Sequence, residues 1–307
     1  MNPKKDLLSL NELSAGELRA ILSQARVFKQ NRLAKERRIF ADRTAVLIFE
    51  KPSLRTRITF ETAVHELGGH AITLTSENVG IGKRESPEDI ARNLERWVHL
   101  IVVRTFSHAM VEQLAKSSSV PVINALTDIH HPCQALAFAL TLDERFGADS
   151  LKNIAFIGDG NNVCNSIALL CAKLGYRFTV ACPPGYEPSP ELWGHIRRIA
   201  ADSGAVLTIV HDPKEAVAGA MAVYTDVWAS MGQENEAAKR ARDFAAFQVN
   251  ADLLSCAPSD AVVSHCLPAH RGEEITSEVL DSKQSVAFDE AENRLHVQKA
   301  VIDHLVS

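Results

Sequence analysis

The sequence predicts an α/β protein built from two doubly wound parallel sheets. Short apolar runs such as 44–49 and 153–157 alternate with stretches whose apolar residues recur every three or four positions. This alternation is typical of buried parallel strands separated by amphipathic helices. The alternation is interrupted by the polar stretch 147–153 and then starts again. We therefore expect one domain at 1–148 and a second at 149–307.

The elements can be assigned in order along the chain. A first helix is expected from Leu10 to about Gln30, with Ser14 and Glu17 forming a capping box near its start. Strands are predicted at 44–49, 71–75, 100–103, 120–125, 153–157, 177–181, 206–210, 222–225 and 261–264. Helices are predicted after Ser53, through Ile90, Leu94 and Trp97, at 108–117, 132–145, 163–174, 190–201 and 213–218, and at the C-terminus.

Composition excludes several classes of protein. The net charge of −5 and the pI near 6.2 argue against a nucleic-acid-binding surface. No apolar run approaches the roughly 18 residues that suggest a membrane span, and residues 1–6 lack the apolar run of a signal peptide. The six cysteines form no C-x-x-C pair, so we expect reduced thiols and a cytoplasmic location.

The stretch 50–57 carries the first candidate site. It joins a predicted strand to a predicted helix, and Ser53 is a suitable N-cap for that helix. A helix N-terminus carries partial positive charge and unpaired N–H donors. With Arg55, Thr56 and Arg57 beside it, this turn predicts a site for an oxygen-rich anion, most simply phosphate. The alternative is a capped surface helix whose arginines are solvated.

Two further strand ends point to the same edge of the sheet. Arg104 follows the strand 100–103, and His131 and Gln134 flank Pro132 at the start of the next helix. Parallel α/β sheets bind ligands beyond the carboxyl ends of their strands. His131 and Gln134 could therefore donate to a carbonyl or phosphate oxygen. Taken singly, Arg104 could equally be a surface charge, and the other two could be capping residues.

The second half opens with a turn, 158–163, that resembles a dinucleotide-binding fingerprint. Two features disfavour this interpretation. Val163 stands where the third glycine would lie, and the strand 177–181 ends at Cys182 with no acidic residue to hold a ribose hydroxyl. Paired asparagines at 161 and 162 instead offer amide groups suited to a small carboxylate.

Asp226 and Cys266 stand at the ends of two later strands. Asp226 could pair with a ligand ammonium or could cap the next helix. Cys266 lies beside His265 and near Arg271, surroundings that can activate a thiol, although a buried cysteine is more often inert.

Together these motifs resemble the signatures of the carbamoyltransferase family. The matching segments are Ser53-x-Arg55-Thr56-Arg57, His131-Pro132-x-Gln134, Asp226-x-x-x-Ser230-Met231-Gly232 and His265-Cys266-Leu267-Pro268. The Ser-Met-Gly loop and the paired asparagines are similar to the ornithine-specific branch of that family. The resemblance covers about 7–306 and implies two doubly wound domains, the first binding carbamoyl phosphate and the second ornithine. It also implies that a C-terminal helix, about 291–306, packs back on the first domain.

The resemblance also implies roles for individual residues. It assigns catalysis to Cys266, Arg55, Arg104 and His131, and ornithine binding to Asn162, Asp226, Ser230 and Met231. Carbamoyl phosphate would be held by Ser53, Leu54, Arg55, Thr56, Arg104, His131, Gln134, Cys266, Leu267 and Arg294. Cys266 would accept a proton from the attacking δ-amine or orient that amine. The implied reaction needs no cofactor and no metal, and the implied assembly is a homotrimer or a multiple of trimers.

Two positions depart from the common family pattern, and three other functions stay open. Leu54 replaces a usual threonine, and Gly80 replaces a glutamine that reaches a neighbouring subunit, a contact that Lys83 or Arg84 could supply. The alternatives are a transferase acting on an acylated ornithine or another amine, an NAD-dependent oxidoreductase, and a non-catalytic binding protein. Ser230 and Asn162 favour free ornithine, and the presence of both Asp226 and Cys266 favours an enzyme.

Overall fold

A computed structural model describes residues 4–32, 38–75, 84–230 and 232–307, apart from the side chain of Glu234. The chain forms two compact units. The first comprises Met1–Leu140 together with Glu292–Ser307, and the second comprises Thr141–Ala291. Each unit contains its own parallel sheet. The predicted α/β class with two parallel sheets is confirmed.

The first unit alternates helices and strands. Its elements are α1 (Ala15–Gln30), β1 (Thr44–Phe49), α2 (Arg55–Glu66), β2 (His70–Thr75), α3 (Pro87–Leu94), β3 (Leu100–Arg104), α4 (His108–Ser117), β4 (Val122–Leu126) and most of α5 (Pro132–Phe146). Among the described residues the strands lie in the order β2-β1-β3-β4. The chain therefore leaves β1 toward one side of the sheet and continues with β3 on the other side. This reversal creates a crevice at the carboxyl ends of β1 and β3.

The second unit follows the same plan with five strands. Its elements are β5 (Asn153–Ile157), α6 (Asn162–Leu174), β6 (Arg177–Ala181), α7 (Pro190–Ser203), β7 (Val206–Val210), α8 (Pro213–Val217), β8 (Ala222–Thr225), α9 (Ala237–Asp243), α10 (Ala251–Leu254), β9 (Val262–His265) and α11 (Ser277–Leu280). The described strands run β7-β6-β5-β8-β9. The strand order reverses at β5 and β8, so the corresponding crevice lies at their carboxyl ends.

Burial explains why these apolar runs become inner strands. In β1, the five residues after Thr44 are buried, and all four residues of β8 are buried. A strand covered on both faces needs apolar side chains at successive positions, which is the continuous pattern that the sequence shows. The polar residues that follow these strands consequently stand at the edge of each sheet.

The last helix, α12 (Ala287–Val306), begins in the second unit and continues into the first. Within the first unit Gln24 Nε2 donates to Asp303 Oδ2 at 2.8 Å, and Lys299 Nζ lies 3.0 Å from Glu66 Oε2. The predicted return of the C-terminal helix to the first domain is confirmed. The helix begins at Ala287, four residues before the expected start.

Several local predictions are wrong. The first helix does not include Leu10 and begins at Ala15, although its predicted opening near Ser14, with the capping box to Glu17, is confirmed. Helix α3 ends at Leu94, and Trp97, predicted on its apolar face, is 67% exposed. The predicted cap Ser53 makes no capping bond, because Leu54 occupies the N-cap position of α2.

Some predictions fall on residues that the structure does not describe. Met231, Gly80 and Lys83 lie outside the described residues, while Arg84 is described and exposed. No helix among the described residues is both long enough and apolar enough to cross a membrane.

Candidate active site

The first crevice begins at the N-terminus of α2. Its cap residue, Leu54, has helical backbone angles and no side-chain hydrogen bond to the first turn. The early N–H groups of a helix are left for another acceptor when no capping side chain takes them. Leu54 itself is 68% exposed, so its side chain contributes little to the core. An uncapped helix start of this kind favours an anion.

A cluster of polar side chains from four elements meets beside that helix start. Arg294 Nη2 donates to Thr56 Oγ1 at 2.8 Å, and Arg104 Nη1 donates to the same oxygen at 3.3 Å. Arg294 Nη1 also donates to Gln134 Oε1. Thr56, Gln134 and Arg294 are each buried. Two guanidinium groups are therefore held close together around one neutral hydroxyl, an arrangement suited to an anion with several oxygens.

His131 belongs to the same cluster and is buried immediately before α5. Burial, followed by the charges of Arg294 and Arg104, lowers the pKa of His131 well below its ordinary value of 6.5. Its imidazole is therefore neutral at neutral pH, and a neutral imidazole can donate one N–H to a carbonyl oxygen. Its neighbour Cys133 is inert, because burial raises the pKa of that thiol to about 12.

The two arginines at the start of α2 differ in their surroundings. Arg55 is the first residue of the helix and is half-buried. Arg57 points along the helix surface, where its Nε donates to Glu61 Oε1 at 2.9 Å. Of the two, Arg55 therefore stays a candidate for binding an anion at the helix start. Arg57 is a surface arginine, as the alternative interpretation of this stretch expected. Lys51, which the sequence did not single out, is buried at the end of the same turn with Nζ 3.9 Å from the Phe106 ring centroid.

The second crevice has different chemistry. Asn161 caps α6, accepting bonds from the N–H groups of Val163 and Cys164 at 3.0 and 3.1 Å. Its Nδ2 donates to Asp226 Oδ2 at 2.7 Å, which joins the ends of β5 and β8. The helix start is thus satisfied by the protein itself, and a buried carboxylate lies beside it. A positively charged group fits this edge better than an anion does.

Cys266 and His265 complete this second cluster at the end of β9. Cys266 Sγ donates to Asp226 Oδ1 at 2.7 Å. His265 Nδ1 accepts the backbone N–H of Leu267 at 2.8 Å, and its Nε2 donates to Glu274 Oε1 at 3.0 Å. These contacts assign the proton of His265 to Nε2. With Nδ1 engaged by Leu267, the proton acceptor that contacts Cys266 is the Asp226 carboxylate.

The other described residues predicted for the ornithine site, and Leu267, have contacts of their own. Asn162 opens α6 and accepts from Ser166 Oγ at 2.9 Å through its carbonyl. Ser230 is half-buried, and its N–H donates to Gln233 Oε1 at 3.0 Å. Leu267 adopts a left-handed φ of 54° and precedes a cis peptide bond to Pro268. A left-handed conformation is costly for leucine, and the contact with His265 helps to hold it.

Donor atoms of Asp226, His265 and Cys266 lie within 4.8 Å of one another, a set that could in principle hold a metal ion. Each of the three already takes part in a hydrogen bond to another protein group. The set is therefore best described as a polar network that fixes the position of the thiol.

Sequence reasoning named Asn161 but gave its amide to a small carboxylate, whereas Asn161 caps α6 and donates to Asp226. Its place directly before a helix, where asparagine is a favoured cap, was the signal for this role. Two other residues were missed. Glu274 and Arg240 gave no local signal, since Glu274 meets His265 through a loop, and Arg240 lies on another helix and pairs with Asp159 at 2.9 Å. Such contacts join segments that are apart in sequence and come together only when the chain folds.

Comparison with known proteins agrees with this division into two sites. Residues 5–144 match the family model for the aspartate/ornithine carbamoyltransferase carbamoyl-P binding domain. Residues 151–305 match the model for the Asp/Orn binding domain of the same family. Together the two matches cover nearly the whole chain.

Individual proteins give the same result. An ornithine carbamoyltransferase of Methanopyrus kandleri is 48% identical, covering 96% of this chain and 95% of that protein. The solved ornithine carbamoyltransferase of Pyrococcus furiosus superposes with a TM-score of 0.95 at 47% identity, covering 99% of this chain and 97% of that one. That of Thermus thermophilus gives a TM-score of 0.88 at 46% identity, with coverages of 98% and 99%. The chain therefore belongs to the aspartate/ornithine carbamoyltransferase family.

Proposed function

We infer that this chain is an ornithine carbamoyltransferase. It transfers the carbamoyl group of carbamoyl phosphate to the δ-amine of L-ornithine, giving L-citrulline and phosphate. One observation carries this conclusion: the first unit gathers cations at its crevice, whereas the second gathers a carboxylate and a thiol. These are complementary to an anionic donor and a cationic amino acid, and relatives 48% identical carry the same name.

We assign carbamoyl phosphate to the first unit, taking 1–148 as its domain. The guanidinium groups of Arg104 and Arg294 and the uncapped start of α2 favour the phosphate. Neutral His131 and the amide of Gln134 are suited to the carbamoyl group. The set proposed to contact carbamoyl phosphate in this unit is Ser53, Leu54, Arg55, Thr56, Arg104, His131, Gln134 and Arg294.

We assign ornithine to the second domain, 149–307 without the returning helix. Asp226 is the proposed partner of an ammonium group, and Asn162, Ser230 and Met231 are proposed to hold the amino-acid part. Asn161 fixes the Asp226 carboxylate from one side and Cys266 from the other. Cys266 and Leu267 are proposed to meet the reacting carbamoyl group once both substrates are bound.

The chemistry then follows from these groups. The neutral δ-amine attacks the carbamoyl carbon, the C–N bond forms, and an oxyanion develops that N–H donors such as neutral His131 stabilise. The C–O bond to phosphate breaks, and the departing oxygen carries its negative charge toward Arg104 and Arg294. The proton lost by the amine leaves with the phosphate. Because Cys266 donates to Asp226, we favour a role for Cys266 in orienting the amine over that of a free thiolate base.

The direct test is an assay of ureido products. The protein is incubated with carbamoyl phosphate and, separately, L-ornithine, N-acetyl-ornithine, L-lysine and putrescine. We expect citrulline from ornithine at a rate far above the other amines. A higher rate with an acylated ornithine, or no ureido product with any amine, would overturn the assignment. Tight binding of NAD in a titration would instead favour an oxidoreductase.

We also propose that the enzyme is a cytoplasmic homotrimer, or a multiple of trimers, serving arginine biosynthesis. The first unit exposes several large apolar side chains, which is the kind of surface that subunit contacts cover. They are Leu54, Ile58, Ile72, Trp97 and Phe106. None of the six cysteines, all of which are described, forms a disulfide, which suits a reducing compartment. A relative from Pyrococcus furiosus is named anabolic. Light scattering on the purified protein tests the assembly, and a mass of one chain would contradict it.

A further inference from the structure

Arg240, on the short helix α9, lies at the centre of a hydrogen-bond network that the reaction chemistry does not use. It is buried, with 7% of its surface exposed. Its Nη1 donates to Asp159 Oδ2 and to the carbonyl of Trp228, both at 2.9 Å. Its Nε donates to Glu236 Oε2 at 2.9 Å. One guanidinium group therefore binds the turn after β5 and two positions of the chain after β8.

The two later positions bracket the segment 228–236, which we call the amine loop. Ser230 lies within it, two residues after Trp228. Inside the loop the N–H of Ser230 donates to Gln233 Oε1 at 3.0 Å, and the N–H of Gln233 donates to the Ser230 carbonyl at 2.9 Å. Arg240 thus binds Trp228 and Glu236 at the two ends of the loop, while Ser230 and Gln233 bond to each other within it.

Asp159, the anchor on the other side, belongs to the turn that also orients Asp226. Asn161, two residues after Asp159, donates to Asp226 Oδ2 at 2.7 Å. Gly160, between them, is packed so closely that a Cβ there would lie 2.2 Å from the backbone nitrogen of Pro188. The absence of a side chain at this glycine is therefore explained by packing within the protein.

We propose that the Asp159–Arg240 ion pair is a positioning pair that sets the amine loop relative to Asp226 and thereby determines which amine is accepted. The proposal rests on the function inferred above. Asp226 binds one charged group of the amine, and the loop must then present Ser230 at a fixed distance from it. The turn 158–162 is connected to Asp226 through Asn161, and to the amine loop through Asp159 and Arg240.

A buried pair of this kind holds geometry firmly, because removing one partner leaves the other as an uncompensated charge. Burial raises the pKa of Asp159, and the charge of Arg240 acts in the opposite direction. The Arg240 guanidinium also lies 5.0 Å from the Tyr186 ring centroid. These contacts restrict the side chain to one position, which is what a positioning residue requires.

The test compares Michaelis constants for the two substrates. Arg240→Gln should raise the KM for ornithine about tenfold or more, since small displacements of substrate-positioning groups can cost up to roughly a hundredfold. The KM for carbamoyl phosphate should stay within about twofold. Arg240→Lys retains the charge and should recover part of the loss. Asp159→Asn should resemble Arg240→Gln, and the double variant should be no worse than the single ones, because the two residues act as one unit.

Tyr186→Phe is the matched control. It removes a hydroxyl that binds Asp243 at 2.7 Å and Lys239 at 3.0 Å on the same helix, but it leaves the guanidinium contacts in place. We expect wild-type Michaelis constants from this variant. Ratios of kcat/KM for ornithine against lysine and putrescine should fall in the Arg240 variants and stay constant in the control.

A lower melting temperature with unchanged KM for the amine in Arg240→Lys and Asp159→Asn would overturn the proposal, leaving the pair a purely structural role. If Arg240→Gln fails to fold, those two variants still decide the question. Failure of the inferred function is separately visible, because the wild type would then give no citrulline. The same comparison is then made with whichever amine the wild type does carbamoylate, and an unchanged KM for that amine equally overturns the pair's role.

Discussion

The two sheets place a site at equivalent positions but treat the following helix in opposite ways. In the first unit α2 begins at Arg55, and its N-cap residue Leu54 supplies no capping side chain. In the second unit Asn161 caps α6, and its side chain accepts hydrogen bonds from the N–H groups of Val163 and Cys164. A helix start without a capping side chain favours an anion, whereas a capped start has its first N–H groups bonded to the cap. In the proposed function the same strand-turn-helix unit therefore serves a phosphate in one place and an amine in the other.

The charges beside each helix follow the same division. Arg104 and Arg294 converge on Thr56 in the first unit, and Asp226 joins Asn161 in the second. This contrast also explains why the turn 158–163 resembles a dinucleotide-binding loop without being one. Gly160 is needed in this turn because Pro188 packs too closely for a side chain. The first N–H groups of α6 already donate to Asn161. The charge at the crevice and the state of the helix start together decide what the turn can bind.

The largest expected effect comes from removing a cation in the first unit. Arg104→Ala should lower kcat/KM by roughly 100-fold, about 3 kcal/mol, which is typical of the loss of a preorganised donor. Arg57→Ala is the control, because Arg57 is directed at Glu61 on the helix surface and should change kcat/KM little. Steady-state kinetics on both variants measures the difference. Equal, small effects would show that the anion does not bind at this crevice.

A second, smaller effect is expected in the other unit. Asp226→Asn places an amide opposite Asn161 and Cys266, both of which donate to the carboxylate. The KM for ornithine should rise about tenfold, or about 1.4 kcal/mol, with a much smaller change for carbamoyl phosphate. Asp243→Asn, an acidic residue of the same unit bonded to Tyr186, should leave both constants unchanged. An equal rise for the two substrates would contradict the assignment of Asp226 to the amine.

The strands and most helices could be predicted because buried parallel strands require continuous apolar runs. Strands β1, β5, β6 and β7 have the predicted bounds, and α4 begins and ends where expected. The strand ends also placed Arg104 and Asp226 correctly at the edges of their sheets. These predictions depend only on local pattern and on the rule that loops follow the carboxyl ends of strands.

Other features could not be read from local pattern. Ser53 has the chemistry of an N-cap, but the helix begins at Arg55 and the N-cap position falls on Leu54, whose side chain cannot cap. Arg294 lies in the first unit although it follows the whole second unit in sequence, so only the family resemblance pointed to it. The contacts of Glu274 and Arg240 join segments whose meeting is decided by tertiary packing.

The third prediction separates capping from orientation at Asn161. Asn161→Ala should destabilise the protein by about 1 kcal/mol through loss of the cap of α6. Ser189→Ala removes the cap of α7, where Ser189 accepts from the N–H of Leu192, and should cost a similar amount. Only Asn161→Ala should raise the KM for ornithine, by roughly threefold, about 0.7 kcal/mol, because it also releases Asp226. Melting temperatures and kinetics on the pair are the measurements. An identical KM in both variants would show that the Asn161–Asp226 bond has no part in amine binding.

The smallest expected effect concerns pH and the buried imidazole of the first unit. Burial and two arginines hold the pKa of His131 well below 6.5, whereas in the unfolded chain it returns to about that value. As pH falls through 6.5 the unfolded state takes up a proton that the folded state does not, so stability falls. Between about pH 7 and pH 6 the loss is about 0.7 kcal/mol from this group. His131→Gln keeps a donor but cannot titrate, so its melting temperature should depend less on pH than that of the wild type. Parallel curves for the two proteins would mean that His131 takes up its proton over the same pH range in the folded and the unfolded states, which would contradict the lowering of its pKa by burial and by the charges of Arg294 and Arg104.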